Sequence, residues 1–178
     1  MRIRRKITKI WFPTTIKTES HLIVAAVAGV VAGSLATVVQ MLIWWLSATP
    51  VLETLLRDAR LTAAVVMGRT VVTSVPAGRW DVLLIATFIH FSLSVVYAAI
   101  AMLFVVRLSA MLAIVTGSVY GLAIYAVNLH GLTAIFPWFS VSRGWVTLLV
   151  HVVFGITLAG ACRFLASAGG GGRSPSEH

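Results

Sequence analysis

The sequence predicts an all-α integral membrane protein: a four-helix bundle with both termini cytoplasmic and an amphipathic helix in its first outer loop. Three observations carry this prediction. The chain is 59% hydrophobic and only 11% charged, where soluble domains hold about 45–50% apolar and 25% charged residues. It contains four apolar runs, each long enough for the roughly 20 residues a membrane helix needs. Its Lys and Arg residues are unevenly divided between the segments that separate those runs.

The first run covers residues 22–48, free of charge, with Trp44 and Trp45 toward its far end. The second covers 82–106, between Asp81 and Arg107, and the third 108–129. The connection between these two is so short that they are expected to form an antiparallel helical hairpin. The fourth covers 145–165, and Arg163 is placed to snorkel toward the headgroups. The membrane domain is accordingly bounded at 22–166, with a basic segment at 1–21 before it and a Gly- and Ser-rich tail at 167–178 expected to be flexible.

Orientation follows from the cations, because cytoplasmic segments carry the excess of Lys and Arg. One side holds Arg2, Arg4, Arg5, Lys6, Lys9, Lys17, Arg107, Arg163 and Arg173; the other holds Arg57, Arg60, Arg69, Arg79 and Arg143. The richer side is assigned to the cytoplasm. The basic segment is matched to anionic lipid and not to nucleic acid. Within it, Ile3, Ile7, Ile10 and Trp11 share one side of a short interfacial helix stopped at Pro13. The apolar run that follows is about twice the length of a signal-peptide core, so it is assigned as an uncleaved first span.

Residues 51–80 are too apolar for a disordered loop. Val51, Leu52, Leu55, Leu56, Ala59, Ala63, Val66 and Met67 recur at helical spacing, with Glu53, Arg57 and Arg60 on another face. An outer helix over 51–67 is expected, started at Pro50 and stopped at Gly68. Leu55 and Leu56 of this helix, with Phe136 and Trp138 of the last outer loop, form the candidate surface for a membrane-protein partner.

Each span carries a stripe of small and polar residues: Gly29, Gly33, Thr37, Gln40; Thr87, His90, Ser94, Tyr97; Gly117, Gly121, Tyr125, Asn128; Thr147, His151, Gly155. Small residues let membrane helices approach closely and polar ones bond across the contact, so these stripes are expected to face one another. A rise of about 1.5 Å per residue places His90 about 13 Å, Gln40 about 12 Å and His151 about 9 Å below the outer surface, with Asn128 and His130 above them. Two imidazoles from different helices can ligate haem iron, or with His130 contribute to a copper or zinc site. No H-x-x-x-H or C-x-x-C spacing accompanies them, and a closed zinc site needs about four ligands. The competing assignment is structural, with Gln40, Ser94, Tyr125 and Asn128 hydrogen-bonding the histidines and fixing the packing, and no cofactor.

Catalysis is not expected. No span contains Asp or Glu, so a buried general base or a proton- or sodium-coupling carboxylate is lacking. A serine near His90 has no orienting acid. The single cysteine, Cys162, can form no intrachain disulfide and is assigned to apolar packing.

The segments ETLLRDARLTAAVVMG, IHFSLSVVYAAI and YGLAIYAVNLHGLTAIFPWFSVSRGWVTLLVHVVFG resemble those of a family of small, uncharacterised four-span bacterial inner-membrane proteins. The resemblance covers about residues 22–165 and implies the same four-span topology. Members of that family are often labelled sodium:proline symporters. Four continuous helices in one copy cannot supply the discontinuous helices such symporters use to hold sodium. The expected function is therefore a non-catalytic accessory or assembly subunit of a larger respiratory or other energy-transducing membrane complex. The alternatives are a haem- or metal-binding module built on His90 and His151, and a small transporter or channel working as a homo-oligomer through the Gly29 and Gly33 face.

Overall fold

The computed structural model describes residues 16–74 and 79–170. The interfacial helix expected before Pro13 and residues 171–178 of the expected tail lie outside the described residues. Among the described residues six α-helices follow in order: α1 (Ile16–Leu46), α2 (Val51–Met67), α3 (Thr70–Ser74), α4 (Trp80–Val105), α5 (Ala110–Ala126) and α6 (Trp145–Gly170). No strand occurs among the described residues. Four stretches are long and apolar enough to cross a membrane: His21–Leu46, Trp80–Val105, Ala110–Ala134 and Trp145–Ala168. The protein is a multi-pass membrane protein, and the fourth helix runs several residues past the expected 165, through Ser167, into the start of the expected tail.

Helix ends have local causes. At the end of α1 the Thr49 amide donates to the Trp44 carbonyl and the Ala48 amide to that of Trp45, with Ala48 at φ 53°. This is the hydrogen-bond pattern that glycine usually closes, adopted here by alanine. Pro50 precedes α2 in an extended conformation, and Gly68 ends it at φ 87°, where the absence of a Cβ removes the steric penalty. The Ser109 hydroxyl accepts from the Leu112 amide and caps α5. Beyond Ala126 the helix widens into a π-turn over Val127–Gly131 and then 3₁₀ turns at Leu132–Ala134 and Pro137–Ser142.

Packing is decided by the smallest side chains. α6 lies against both α5 and α1, and α1 against α4. At the α5–α6 crossing, a Cβ on Gly117 would sit 2.6 Å from the Gly155 carbonyl oxygen, and one on Gly121 would strike the His151 carbonyl. At the α1–α4 crossing, a Cβ on Gly29 would sit 2.8 Å from the Ser94 carbonyl oxygen. A second row on α1, Ala25, Ala28, Ala32 and Ala36, is almost fully buried with Ala98, Ala101, Leu158, Ala159 and Cys162. The Gly29 and Gly33 face is thus covered by α4 within the same chain. That overturns its assignment to a contact between subunits.

The hairpin of α4 and α5 is real as a connection but not as a packed pair, because the two helices barely touch. An aromatic pair stands between them, Tyr120 of α5 meeting Phe104 of α4 edge-on at 5.3 Å, while Tyr97 of α4 meets Phe154 of α6 at 6.4 Å. The turn is instead stapled to α6. Arg163 donates from Nε to the Leu108 carbonyl at 2.9 Å, so its cation is spent on a helix junction and not only on headgroups.

At the opposite end of the bundle, α2 and α3 pack on the first turns of α4, with Ala63 of α2, Val71 of α3 and Val82 and Ala86 of α4 in one buried cluster. The last loop closes over it. Trp138 donates from Nε1 to the Leu61 carbonyl at 3.0 Å, and Arg143 donates to the Leu129 carbonyl at 2.7 Å and to Thr133 Oγ1 at 2.6 Å.

Candidate functional site

Polar side chains gather on the interior faces of α4, α5 and α6. The Tyr97 hydroxyl donates to Asn128 Oδ1 at 2.6 Å, and the Tyr120 hydroxyl donates to the Tyr97 carbonyl at 3.0 Å. Ser94, the one buried polar residue among those described, donates to the His90 carbonyl on its own helix. His151 Nδ1 lies 2.7 Å from the Thr147 carbonyl. A carbonyl can only accept, so Nδ1 carries the proton and Nε2 keeps its lone pair. Tyr125 stands between two histidines, edge-on to His130 and to His151 with both centroid separations 5.6 Å.

His90 differs from the rest. Its Nε2 is buried and has no hydrogen-bond partner among the described residues, and it lies beside Gly33, whose Cβ position would be 3.1 Å away. Such a nitrogen costs about 1–3 kcal/mol relative to a bonded one. Among the described residues no hydrogen bond joins the rings of His90 and His151.

The expected partnership of the histidines with Gln40, Ser94, Tyr125 and Asn128 is therefore realised differently. Asn128 is taken by Tyr97, Ser94 bonds its own backbone, and Tyr125 contributes only its ring. Gln40 has turned away from the histidines, with Nε2 3.5 Å from Asp58 Oδ2 on α2. Among the described residues no group of three His, Cys, Asp or Glu side chains is placed to hold a metal ion, so His90, His130 and His151 do not converge as a ligand triad. His130 is exposed on the π-turn.

Two functional groups escaped the sequence pattern because each sits outside the stripes. Tyr120 adjoins Gly121 on α5 and links two helices. Asp58, on the same helix as Arg57, is half-buried between α1 and α2 with Arg57 donating to Oδ1 at 2.9 and 3.0 Å. Burial raises the Asp58 pKa above the ordinary carboxylate value, and Arg57 only partly offsets this. The raised folded-state value means that the folded form binds the proton more tightly. The docking of α2 is then firmest below the ordinary pKa and weakens as pH rises through the folded one. Asp58→Asn is expected to remove this slope, which thermal unfolding between pH 4 and 8 would record. An unchanged slope would mean that Asp58 is not its source.

The residues of the expected partner surface lie on α2 and in the last loop. Leu55, Leu56, Phe136 and Trp138 are all half-buried. Phe136, Trp138 and Phe139 stack on one another at 5.4 to 6.4 Å, holding the cap together.

Comparison with known protein families, with curated proteins and with solved structures finds no match for this chain.

Proposed function

We propose that this chain is a non-catalytic inner-membrane protein that docks as an accessory or assembly subunit on a larger respiratory or other energy-transducing complex. Both termini face the cytoplasm, and α2 lies across the outer surface as an amphipathic lid, with Leu61, Ala63 and Ala64 inward and Glu53 and Arg57 outward.

The observation that carries the proposal is on the outside of α4. Leu84, Thr87, Phe88, Phe91, Ser92 and Val95 line a shallow groove of about 620 Å³ that opens away from the bundle. Thr87 and Ser92 are exposed there, and neither hydroxyl has a hydrogen-bond partner among the described residues. Lipid tails offer no partner either, and an unsatisfied polar group in hydrocarbon is costly. A neighbouring transmembrane helix with a carbonyl or hydroxyl at this depth would satisfy both and bury the two phenylalanines. The surface expected on Leu55, Leu56 and the aromatic loop is thereby moved to α4.

The test is gentle purification from native membranes of the wild type and of a Thr87→Val, Ser92→Leu double variant. Two interhelical hydrogen bonds at an average of about 0.6 kcal/mol each correspond to about eightfold weaker association, read as lost co-purifying subunits from a variant that stays folded. Equal recovery of the same subunits would sink the α4 surface.

A second reading, a haem- or metal-binding module, rests on the unpartnered His90 Nε2 and on the fixed tautomer of His151, whose Nε2 lone pair is left available. A visible spectrum and elemental analysis on the same preparations separate the two. A Soret band or stoichiometric metal lost in His90→Ala would replace the accessory-subunit reading with this one.

A further inference from the structure

A different cleft lies between the start of α1 and the end of α4. The two helices meet backbone to backbone at Gly29 and Val95. Away from that crossing, toward the start of α1, small Ala25 and Ala99 leave a cleft of about 360 Å³ between them, walled by Leu22 and Met102. Its mouth carries His21 and Arg107. His21 opens the first membrane-spanning stretch and Arg107 lies two residues beyond the last residue of α4, so both stand at the membrane boundary.

Arg107 is exposed and has no hydrogen-bond or ion-pair partner among the described residues. The contrast with the other arginines at span edges is informative. Arg163 is tied to the Leu108 carbonyl, Arg143 to the Leu129 carbonyl and Arg79 to Asp81. A planar guanidinium with five donors, free at the headgroup level above an apolar cleft, matches a phosphate ester attached to a hydrocarbon chain.

We propose that this cleft is a binding site for one anionic phospholipid, with an acyl chain lying along Ala25, Ala99 and Met102 and its phosphate bound by Arg107 and His21. Charge complementarity selects this occupant. The basic segment of the chain itself, with Arg2, Arg4, Arg5, Lys6 and Lys9, would bring like charge to Arg107, whereas an anionic headgroup is attracted by both. A zwitterionic lipid offers the same phosphate with a cation beside it and is held less well. The site is independent of the α4 groove, which opens elsewhere on that helix.

The test uses the full chain in detergent with phosphatidylglycerol or phosphatidylcholine titrated in and retained lipid counted by native mass spectrometry. One phosphatidylglycerol is expected to stay bound in preference to phosphatidylcholine. Arg107→Gln should weaken it about fivefold, the worth of one cation at an anionic surface. Ala99→Phe should expel it by filling the cleft without changing charge. Should Ala99→Phe not fold, the Arg107 comparison decides by itself. Equal retention of both lipids, or phosphatidylglycerol retained undiminished in Arg107→Gln, would overturn the proposal. So would loss of the lipid on replacing Arg2, Arg4 and Arg5 by Gln while Arg107→Gln has no effect, because the basic segment would then be its holder.

Discussion

Gly155→Leu is expected to abolish the native bundle. The Cβ of any residue here would run into the Gly117 carbonyl and lie within 2.8 Å of the Gly121 Cα. These are backbone atoms of α5, which cannot rotate aside as a side chain would. Relief requires the helices to separate, and separation forfeits the dispersion contacts along the α5–α6 seam. Overpacking in a dense core costs about 3 kcal/mol, and a backbone obstacle on both sides puts this site at that end of the range. Gly160→Ala is the matched control. It lies on the same helix with nothing within 4 Å of its Cβ position, and it should be neutral or stabilising by about 0.5–1 kcal/mol from helix propensity. Thermal unfolding in detergent should show Gly155→Leu unfolded or far less stable and Gly160→Ala at or above wild type. Equal behaviour of the two would mean that the α5–α6 crossing is not the close contact described.

The same crossing explains which parts of the fold were legible in the sequence. The spans were, because crossing hydrocarbon requires a long apolar run whatever the helix packs against. α2 was predicted at residues 51–67 and is found at Val51–Met67, since Pro50 and Gly68 are punctuation that acts locally. Neighbour choice was less legible. The short turn at 107–109 suggested that α4 and α5 pack together, but a turn limits distance only at its own end. The glycines of α5 match Gly155 on α6, whereas its aromatic side meets α4. A periodic stripe shows that a face is buried and not which helix buries it.

The polar site divides along the same line. The stripes named Asn128, His90, His151 and Ser94 as inward residues, but hydrogen bonds need partners at about 3 Å, and that distance is not written in any one helix. Asn128 is taken by Tyr97, and His90 Nε2 has no partner among the described residues. Gln40 lies close enough to the end of its span for its amide to reach up to Asp58. Asp58 itself shows that a charge can be placed at a helix junction when an arginine shares its surface, a compromise that counting charges per span does not reveal.

Arg143→Ala is expected to open the cap while leaving the spans in place. In the sequence Arg143 is one more positive charge on the outer side. In the structure its Nε and terminal nitrogen diverge to the Leu129 carbonyl and Thr133 Oγ1, joining the loop that enters α6 to the irregular turns that leave α5. Those turns have π and 3₁₀ geometry, whose hydrogen bonds are poorer than those of an α-helix. The Leu129 carbonyl gains from Arg143 a charge-assisted bond. Losing two such bonds at a partly solvated site costs about 2 kcal/mol, or about thirtyfold in the equilibrium between closed and open cap. Amide hydrogen exchange across Leu129–Ser142 should therefore accelerate by about that factor, and the Trp138 bond to Leu61 should loosen with it, exposing α2. The cores of α1 and α6 should exchange as in wild type. Arg143→Lys should show an intermediate effect, since an ammonium on a single stem cannot reach both acceptors in the geometry of the guanidinium fork. Exchange unchanged in Arg143→Ala would show that the cap is held by its aromatic stack and by α2, with Arg143 contributing only charge.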